Sequence, residues 1–123
     1  MIIGIGTDIV ELARVKRSLE KEEFKVLVYS KEEMEYCEQQ GKSVASYAGR
    51  FAAKEAFFKA LGTGWVGEMK FSEVAIVNDE AGKPSYHLKG EAAKTAKEIG
   101  CNSIHVSISH SENFATAVAI IEK

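Results

Sequence analysis

Arg50, Lys54, Glu55 and Lys59 lie in a stretch, GRFAAKEAFFKALGTG, that is otherwise mostly alanine, phenylalanine, leucine and glycine. On a helix of 3.6 residues per turn, Arg50 and Lys54 are neighbours, and so are Glu55 and Lys59, with the two pairs about 140° apart around the axis. Small alanines allow close packing on several sides, which leaves little water-facing arc for these charges. A charge removed from water costs several kcal/mol, roughly, unless an opposite charge or a metal replaces its hydration. All four side chains therefore need partners or a ligand.

Asp8, at the end of the glycine-rich run MIIGIGTD, is the natural second carboxylate. Asp8 and Glu55, from separate elements and with Lys59 and Arg50 nearby, would form a hard-cation site completed by phosphate oxygens, the usual way Mg²⁺ is held. Simpler roles compete: Asp8 as the N-cap of a helix starting at Ile9, and the helix charges as surface ion pairs. Gly62 and Gly64 could turn backbone N–H groups toward a phosphate, although a helix C-terminus is the wrong pole for an anion and a C-cap explains them equally well. His105 and His110 point to opposite faces of one strand, and a structural role is the ordinary alternative for each. There is no Ser-His-Asp arrangement or metal-chelating His/Cys spacing.

The elements that must position these residues follow from periodicity. MIIGIGTD alternates Ile3, Ile5 and Thr7 with Ile2, Gly4, Gly6 and Asp8, a strand whose glycines admit a close backbone neighbour and which is expected to end at Asp8. From Ile9 the spacing lengthens: Ile9, Leu12, Val15 and Leu19 share one helical face, while Arg14, Arg17 and Lys21 lie together on another. Ser30 and Glu33 have capping-box spacing ahead of KEEMEYCEQQ, with Gly41 at that helix's end. The charged helix is expected over about 44–61, stopped by Gly62 and Gly64. FSEVAIVN alternates as a strand, NDEAGKP has the composition of a turn, and SYHL follows as the return strand. Residues 91–99 read as a helix ending at Gly100, and SIHVSISH with FATAVAII forms a hairpin. The order β-α-α-α-β-β-α-β-β predicts an α+β fold, helices on a mainly antiparallel sheet, in a single domain spanning 1–123. Its strand edges offer a surface for an identical subunit.

Composition narrows the classes. A chain of 123 residues suits one core, and 46% hydrophobic with 28% charged residues excludes a disordered or fibrous protein. A net charge of −2 argues against non-specific coating of nucleic acid, so any basic site is local. Cys37 and Cys101 form no Cys-x-x-Cys pair, the start MIIGIGTDIV lacks a leader pattern, and no apolar run approaches the ~20 residues of a membrane span. The expectation is a cytoplasmic protein with reduced thiols and neither membrane nor nucleic-acid partner; a Cys37–Cys101 disulfide is the lesser alternative.

Together, GIGTDIVEL, GRFAAKEAFFKALGTG, NDEAGKP and HVSISH resemble, in order and spacing over essentially the whole chain, the bacterial holo-[acyl-carrier-protein] synthases. These are the small class of 4′-phosphopantetheinyl transferases. The resemblance implies that fold in a homotrimer with active sites at subunit interfaces. It also implies Mg²⁺-dependent transfer of 4′-phosphopantetheine from coenzyme A to a serine of an apo acyl carrier protein, leaving adenosine 3′,5′-bisphosphate. Carried onto this chain, Asp8 and Glu55 become metal ligands and Lys59 the lysine that meets the pyrophosphate. Arg50, the turn residues Gly82, Lys83 and Pro84, and His105 become coenzyme contacts; Lys54, Gly62 and Gly64 join them as the rest of the expected phosphate pocket.

On this reading Lys59 steadies charge on the departing bisphosphate, and Glu55 removes the serine proton directly or through a metal-bound water. Arg14, Arg17 and Lys21 would dock the acidic carrier protein, although Glu20, Glu22 and Glu23 follow closely, a departure from the family's more uniformly basic first helix. The alternatives are a non-catalytic trimeric coenzyme A- or nucleotide-binding module and a Mg²⁺-dependent phosphohydrolase.

Overall fold

The structure, a computed structural model, describes residues 1–62 and 68–123. Along the chain run β1 (Ile2–Glu11), α1 (Leu12–Leu19), α2 (Glu22–Val28), α3 (Lys31–Glu38), α4 (Ser43–Ala60), β2 (Val74–Asn78), β3 (Pro84–Leu88), α5 (Gly90–Glu98), β4 (Ser103–His110) and β5 (Phe114–Glu122), with a 3₁₀ turn at Phe71–Glu73. The strands form two sheets, β1-β5-β4 and β2-β3. Every pairing in them is antiparallel. The α+β expectation stands, with one sheet divided into two.

Helix α4 is enclosed on most sides, which is why its apolar residues follow no single stripe. Gly4 and Gly6 give β1 a bare inner face: a Cβ at Gly4 would come 2.0 Å from the Ala60 carbonyl oxygen, and one at Gly6 the same 2.0 Å from that of Ala56. No side chain fits between strand and helix there. Ala117, Ala119 and Ile121 of β5 continue the floor beneath α4. On the helix's other side Phe57 packs edgewise on Phe58 and against Tyr86 of β3, and Phe58 meets Phe71.

Among the described residues nothing comparable covers the outer face of the large sheet. Ile3, Ile5 and Ile9 of β1 and Phe114 and Val118 of β5 are exposed there, opposite in parity to the buried Gly6, Ala115, Ala117 and Ala119.

Two expectations need correction. The first strand does not stop at Asp8: Ile9, Val10 and Glu11 keep pairing with Thr116, Ala115 and Phe114, so Ile9 belongs to the sheet and the first helix starts at Leu12. Backbone pairing with β5 wins over the helical spacing that Ile9 shares with Leu12 and Val15. Asp8 is therefore no N-cap; that position is Glu11. The second correction is α2, which was not expected: Phe24 and Val28, four residues apart, turn toward Tyr29 and Phe51, too short an apolar repeat to stand out among the charges.

The capping box at Ser30 is formed, with Glu33 N–H donating to Ser30 Oγ at 3.2 Å and Ser30 N–H to Glu33 Oε1 at 3.0 Å. Both cysteines are free, Cys37 buried and Cys101 partly so. Among the described residues no helix is long and apolar enough to cross a membrane.

Candidate active site

The glycine contact between β1 and α4 sets the first site. Asp8 follows Gly4 and Gly6 on the same inner face of the strand, which brings its carboxylate over the last turns of α4. Lys59 Nζ donates to Asp8 Oδ1 at 2.9 Å and to the Thr7 carbonyl at 3.0 Å. The Lys59 side chain remains 52% exposed while that of Asp8 is only 13% exposed. Asp8 Oδ2 is buried and has no hydrogen-bond partner among the described residues. Glu55, half-buried, has its pKa raised, mainly by burial and then by the Asp8 charge, with Lys59 opposing.

These residues fit a divalent cation. A buried carboxylate oxygen with no donor is a costly thing to leave bare, and here it lies beside a second carboxylate whose charge its surroundings resist. A cation would satisfy both. Among the described residues no group of three or more His, Cys, Asp or Glu side chains could hold a metal, and an ion held by these two carboxylates would take its other oxygens from elsewhere. That suits Mg²⁺, which keeps waters and substrate phosphates in its shell.

Arg50 and Lys54, the other pair on α4, face a different environment. Lys54 is fully buried, and its ammonium donates to Glu33 Oε1 at 2.7 Å, the Phe71 carbonyl at 3.0 Å and the Val74 carbonyl at 2.9 Å. An ammonium has three protons, and all three are used. The expectation that Lys54 contacts the coenzyme is thereby corrected: it ties α4 to α3 and to the start of β2. Glu33 is as completely engaged, its Oε2 accepting from Ile76 N–H at 3.0 Å. Burial pulls the Lys54 pKa down, and Glu33 opposes that shift.

Arg50 stands between the closed cluster and an open pocket. Its Nε is 3.8 Å from Glu33 Oε2, its Nη1 donates to Ser46 Oγ at 3.2 Å, its Nη2 donates to Asn78 Oδ1, and its guanidinium lies 4.4 Å from the Tyr36 ring centroid. The pocket it lines, about 320 Å³, also takes in Gly82, Pro84, Ser46, Asn78 and His110. The structure thus brings Arg50 together with Gly82 and Pro84, 32 and more positions away in sequence. Lys83 extends from the same turn into solvent. Asn78 and His110 were not foreseen as pocket residues; Asn78 opens the NDEAGKP segment, which composition reads only as a turn.

The remaining candidates are dispersed. His105 lies on β4, away from this pocket, with Nε2 2.5 Å from Glu122 Oε1. Gly62, at φ +87°, follows the C-cap residue Leu61, and its N–H closes on the Lys59 carbonyl at 3.0 Å, the helix-ending role that glycine commonly fills. Gly64 lies outside the described residues. Arg14 borders a largely apolar pocket of about 330 Å³ with Val15, Phe24, Phe51 and Phe114. Arg17 is exposed on α1, whereas Lys21 is the N-cap residue of α2, so the basic stripe crosses two helices. Arg17 and Lys21 still border one shallow cleft with Phe24.

Comparison with known proteins agrees along the whole chain. Residues 4–119 match the model of the 4′-phosphopantetheinyl transferase superfamily. The holo-[acyl-carrier-protein] synthase of Fusobacterium nucleatum is 43% identical over 122 residues, covering 98% of this chain and 99% of that one. The crystal structure of the holo-[acyl-carrier-protein] synthase from Neisseria meningitidis superposes with a TM-score of 0.90 at 40% identity, covering 100% of both chains. A holo-(acyl-carrier-protein) synthase from Bacillus anthracis in complex with CoA (3′,5′-ADP) gives 0.83 at 36% identity, covering 100% of this chain and 98% of that one.

Proposed function

The chain belongs to the 4′-phosphopantetheinyl transferase superfamily, and on that premise we propose how its residues share the transfer of 4′-phosphopantetheine from coenzyme A to an apo acyl carrier protein. The observation that carries the reading is the bare Asp8 Oδ2 beside Glu55 and Lys59. A buried carboxylate oxygen without a donor, beside a second carboxylate, is the arrangement that a diphosphate-bound cation would complete.

Asp8 and Glu55 would hold Mg²⁺, which when bound offsets negative charge on the coenzyme's diphosphate. The carrier serine oxygen attacks the phosphorus on the pantetheine side; the P–O bond to the bridging oxygen breaks and adenosine 3′,5′-bisphosphate departs. Glu55 accepts the serine proton. Burial and the Asp8 charge make the metal-free carboxylate hold a proton more readily, and a bound cation would oppose that shift. Lys59, half-exposed and able to swing from Asp8 to a phosphate, donates to the oxygen on which charge develops. Arg50 and the 82–84 turn receive the nucleotide end of the coenzyme.

One chain does not join these two parts. Arg50 and Glu55 are about 140° apart around α4 and ~7.5 Å apart along it, and neither Asp8 nor Glu55 borders the Arg50 pocket. Active sites shared between subunits of a homotrimer resolve this: the metal-binding pair comes from one subunit and the nucleotide pocket from its neighbour. The exposed face of Ile3, Ile5, Ile9, Phe114 and Val118 supplies the apolar surface such an assembly buries. In that arrangement His105, apart from the site within its own chain, reaches the coenzyme bound against a neighbour.

Docking of the carrier falls to α1 and the start of α2. Arg14, Arg17 and Lys21 present positive charge around the aromatic pair Phe24 and Phe51, a combination that suits an acidic protein with an apolar contact at its centre. The chain works in the cytoplasm as one domain, residues 1–123, with neither nucleic acid nor membrane as partner.

Incubation with coenzyme A, Mg²⁺ and an apo carrier protein, followed by weighing of the carrier, tests the reading. A gain of one phosphopantetheine is expected; hydrolysis of coenzyme A with no gain on the carrier would refute it.

A further inference from the structure

The pocket beside Arg50 joins a helix side chain to a turn, and among the described residues Asn78 is the side chain bonded to both. Its Oδ1 accepts from Arg50 Nη2, and its Nδ2 donates to the Gly82 carbonyl at 2.9 Å. The orientation of the amide follows from its neighbours, because a guanidinium can only donate and a carbonyl can only accept. The shape of the turn has a separate origin. Asp79 Oδ1 accepts from the N–H groups of Ala81 at 2.9 Å and Lys83 at 2.8 Å, and Gly82 takes φ +90°, which a side chain would resist. Asp79 folds the turn; Asn78 fastens it to α4.

The guanidinium is a rigid plane held on one side by the Glu33 carboxylate, Ser46 and the Tyr36 ring. Its Nη2 is the nitrogen that meets Asn78, so what ties the turn to this fixed plane is the Asn78 amide. We propose that Asn78 is a positioning residue for coenzyme A, setting the distance between the Arg50 guanidinium and the 79–83 turn so that both engage the nucleotide end together. The proposal rests on the assignment of this pocket to the coenzyme. Aspartate at this place would keep the bond to Arg50, lose the donor to Gly82 and add negative charge beside the phosphates. Alanine would release both partners.

The test varies coenzyme A at saturating carrier, and carrier at saturating coenzyme A, for wild type, Asn78→Ala and Asn78→Asp, with calorimetric coenzyme A binding alongside. Asn78→Ala should raise the KM and Kd for coenzyme A about tenfold, or about 1.4 kcal/mol, while kcat and the carrier KM stay within about twofold. Asn78→Asp should weaken coenzyme A binding further. Equal rises in both KM values, a lower unfolding midpoint with no change in coenzyme binding, or wild-type binding by Asn78→Asp would each overturn the proposal. If wild type binds coenzyme A but adds no mass to the carrier, the functional reading fails while calorimetry still decides the role of Asn78. If wild type binds none, both fall.

Discussion

Helix α4 carries two charged clusters, Arg50 and Lys54 with Glu33 and then Glu55 and Lys59 with Asp8, and they finish in opposite states. At Lys54, every ammonium proton and both oxygens of Glu33 are taken by protein groups. At Lys59, the ammonium is half in solvent and Asp8 retains a buried oxygen with no donor. The difference lies in what covers each face of the helix. The capped start of α3 and the start of β2 close over Lys54, whereas β1 is an edge strand that meets Lys59 with one carbonyl and one carboxylate and leaves its ammonium half in solvent. A satisfied cluster joins elements. One with spare hydrogen-bonding and charge capacity is prepared for a ligand.

Lys54→Met should break the contrast most severely. It strands the Glu33 carboxylate in the interior and should lower stability by about 3–5 kcal/mol, read from urea unfolding, whereas Lys54→Met with Glu33→Gln should recover much of the loss. Asp8→Ala should do the reverse, cutting kcat/KM by about 10²–10³-fold while changing stability by less than about 1 kcal/mol. Full activity in that variant removes the metal assignment. Lys59→Ala should lower kcat by about 10–100-fold and hardly move the Kd of coenzyme A, since its contribution belongs to the transition state; the opposite split makes it a binding residue.

Two smaller effects sharpen the picture. Arg14→Glu should raise the carrier KM by about threefold to tenfold at low salt and far less at high salt, because exposed charges are screened. An unchanged KM at low salt removes α1 from the docking face. Glu55 offers the finest test. Its folded pKa is raised, so in metal-free buffer the folded chain holds more protons than the unfolded one between the ordinary glutamate pKa and the raised value. Stability should therefore fall as pH rises through that window. Glu55→Gln should flatten this part of the melting profile, and Mg²⁺ should raise the wild-type midpoint above the window but not that of Glu55→Gln.

Much of this arrangement was legible in the chain. Period-two alternation located the strands, Ser30 with Glu33 announced α3, and the mismatch between charge and apolar density on α4 pointed to its partners. The sequence did not distinguish the two clusters. Lys54 and Lys59 have similar neighbours in one dimension, and only the long-range contact with Glu33 separates them. The extent of β1 was misread for a similar reason: Ile9 fits a helical face with Leu12 and Val15, and only pairing with Thr116 assigns it to the sheet. Asn78 escaped notice because its two partners, Arg50 and Gly82, converge through folding.

The bare-backbone contact of Gly4 and Gly6 with Ala60 and Ala56 reaches beyond packing. Main chain resting on main chain leaves no rotamer to adjust, so the gap between the Asp8 and Glu55 attachment points behaves as a fixed gauge. On the proposed assignment the two carboxylates would close on an ion from that fixed backbone separation, through their own side-chain torsions. Anyone transplanting these carboxylates to another scaffold would have to carry over the seam as well.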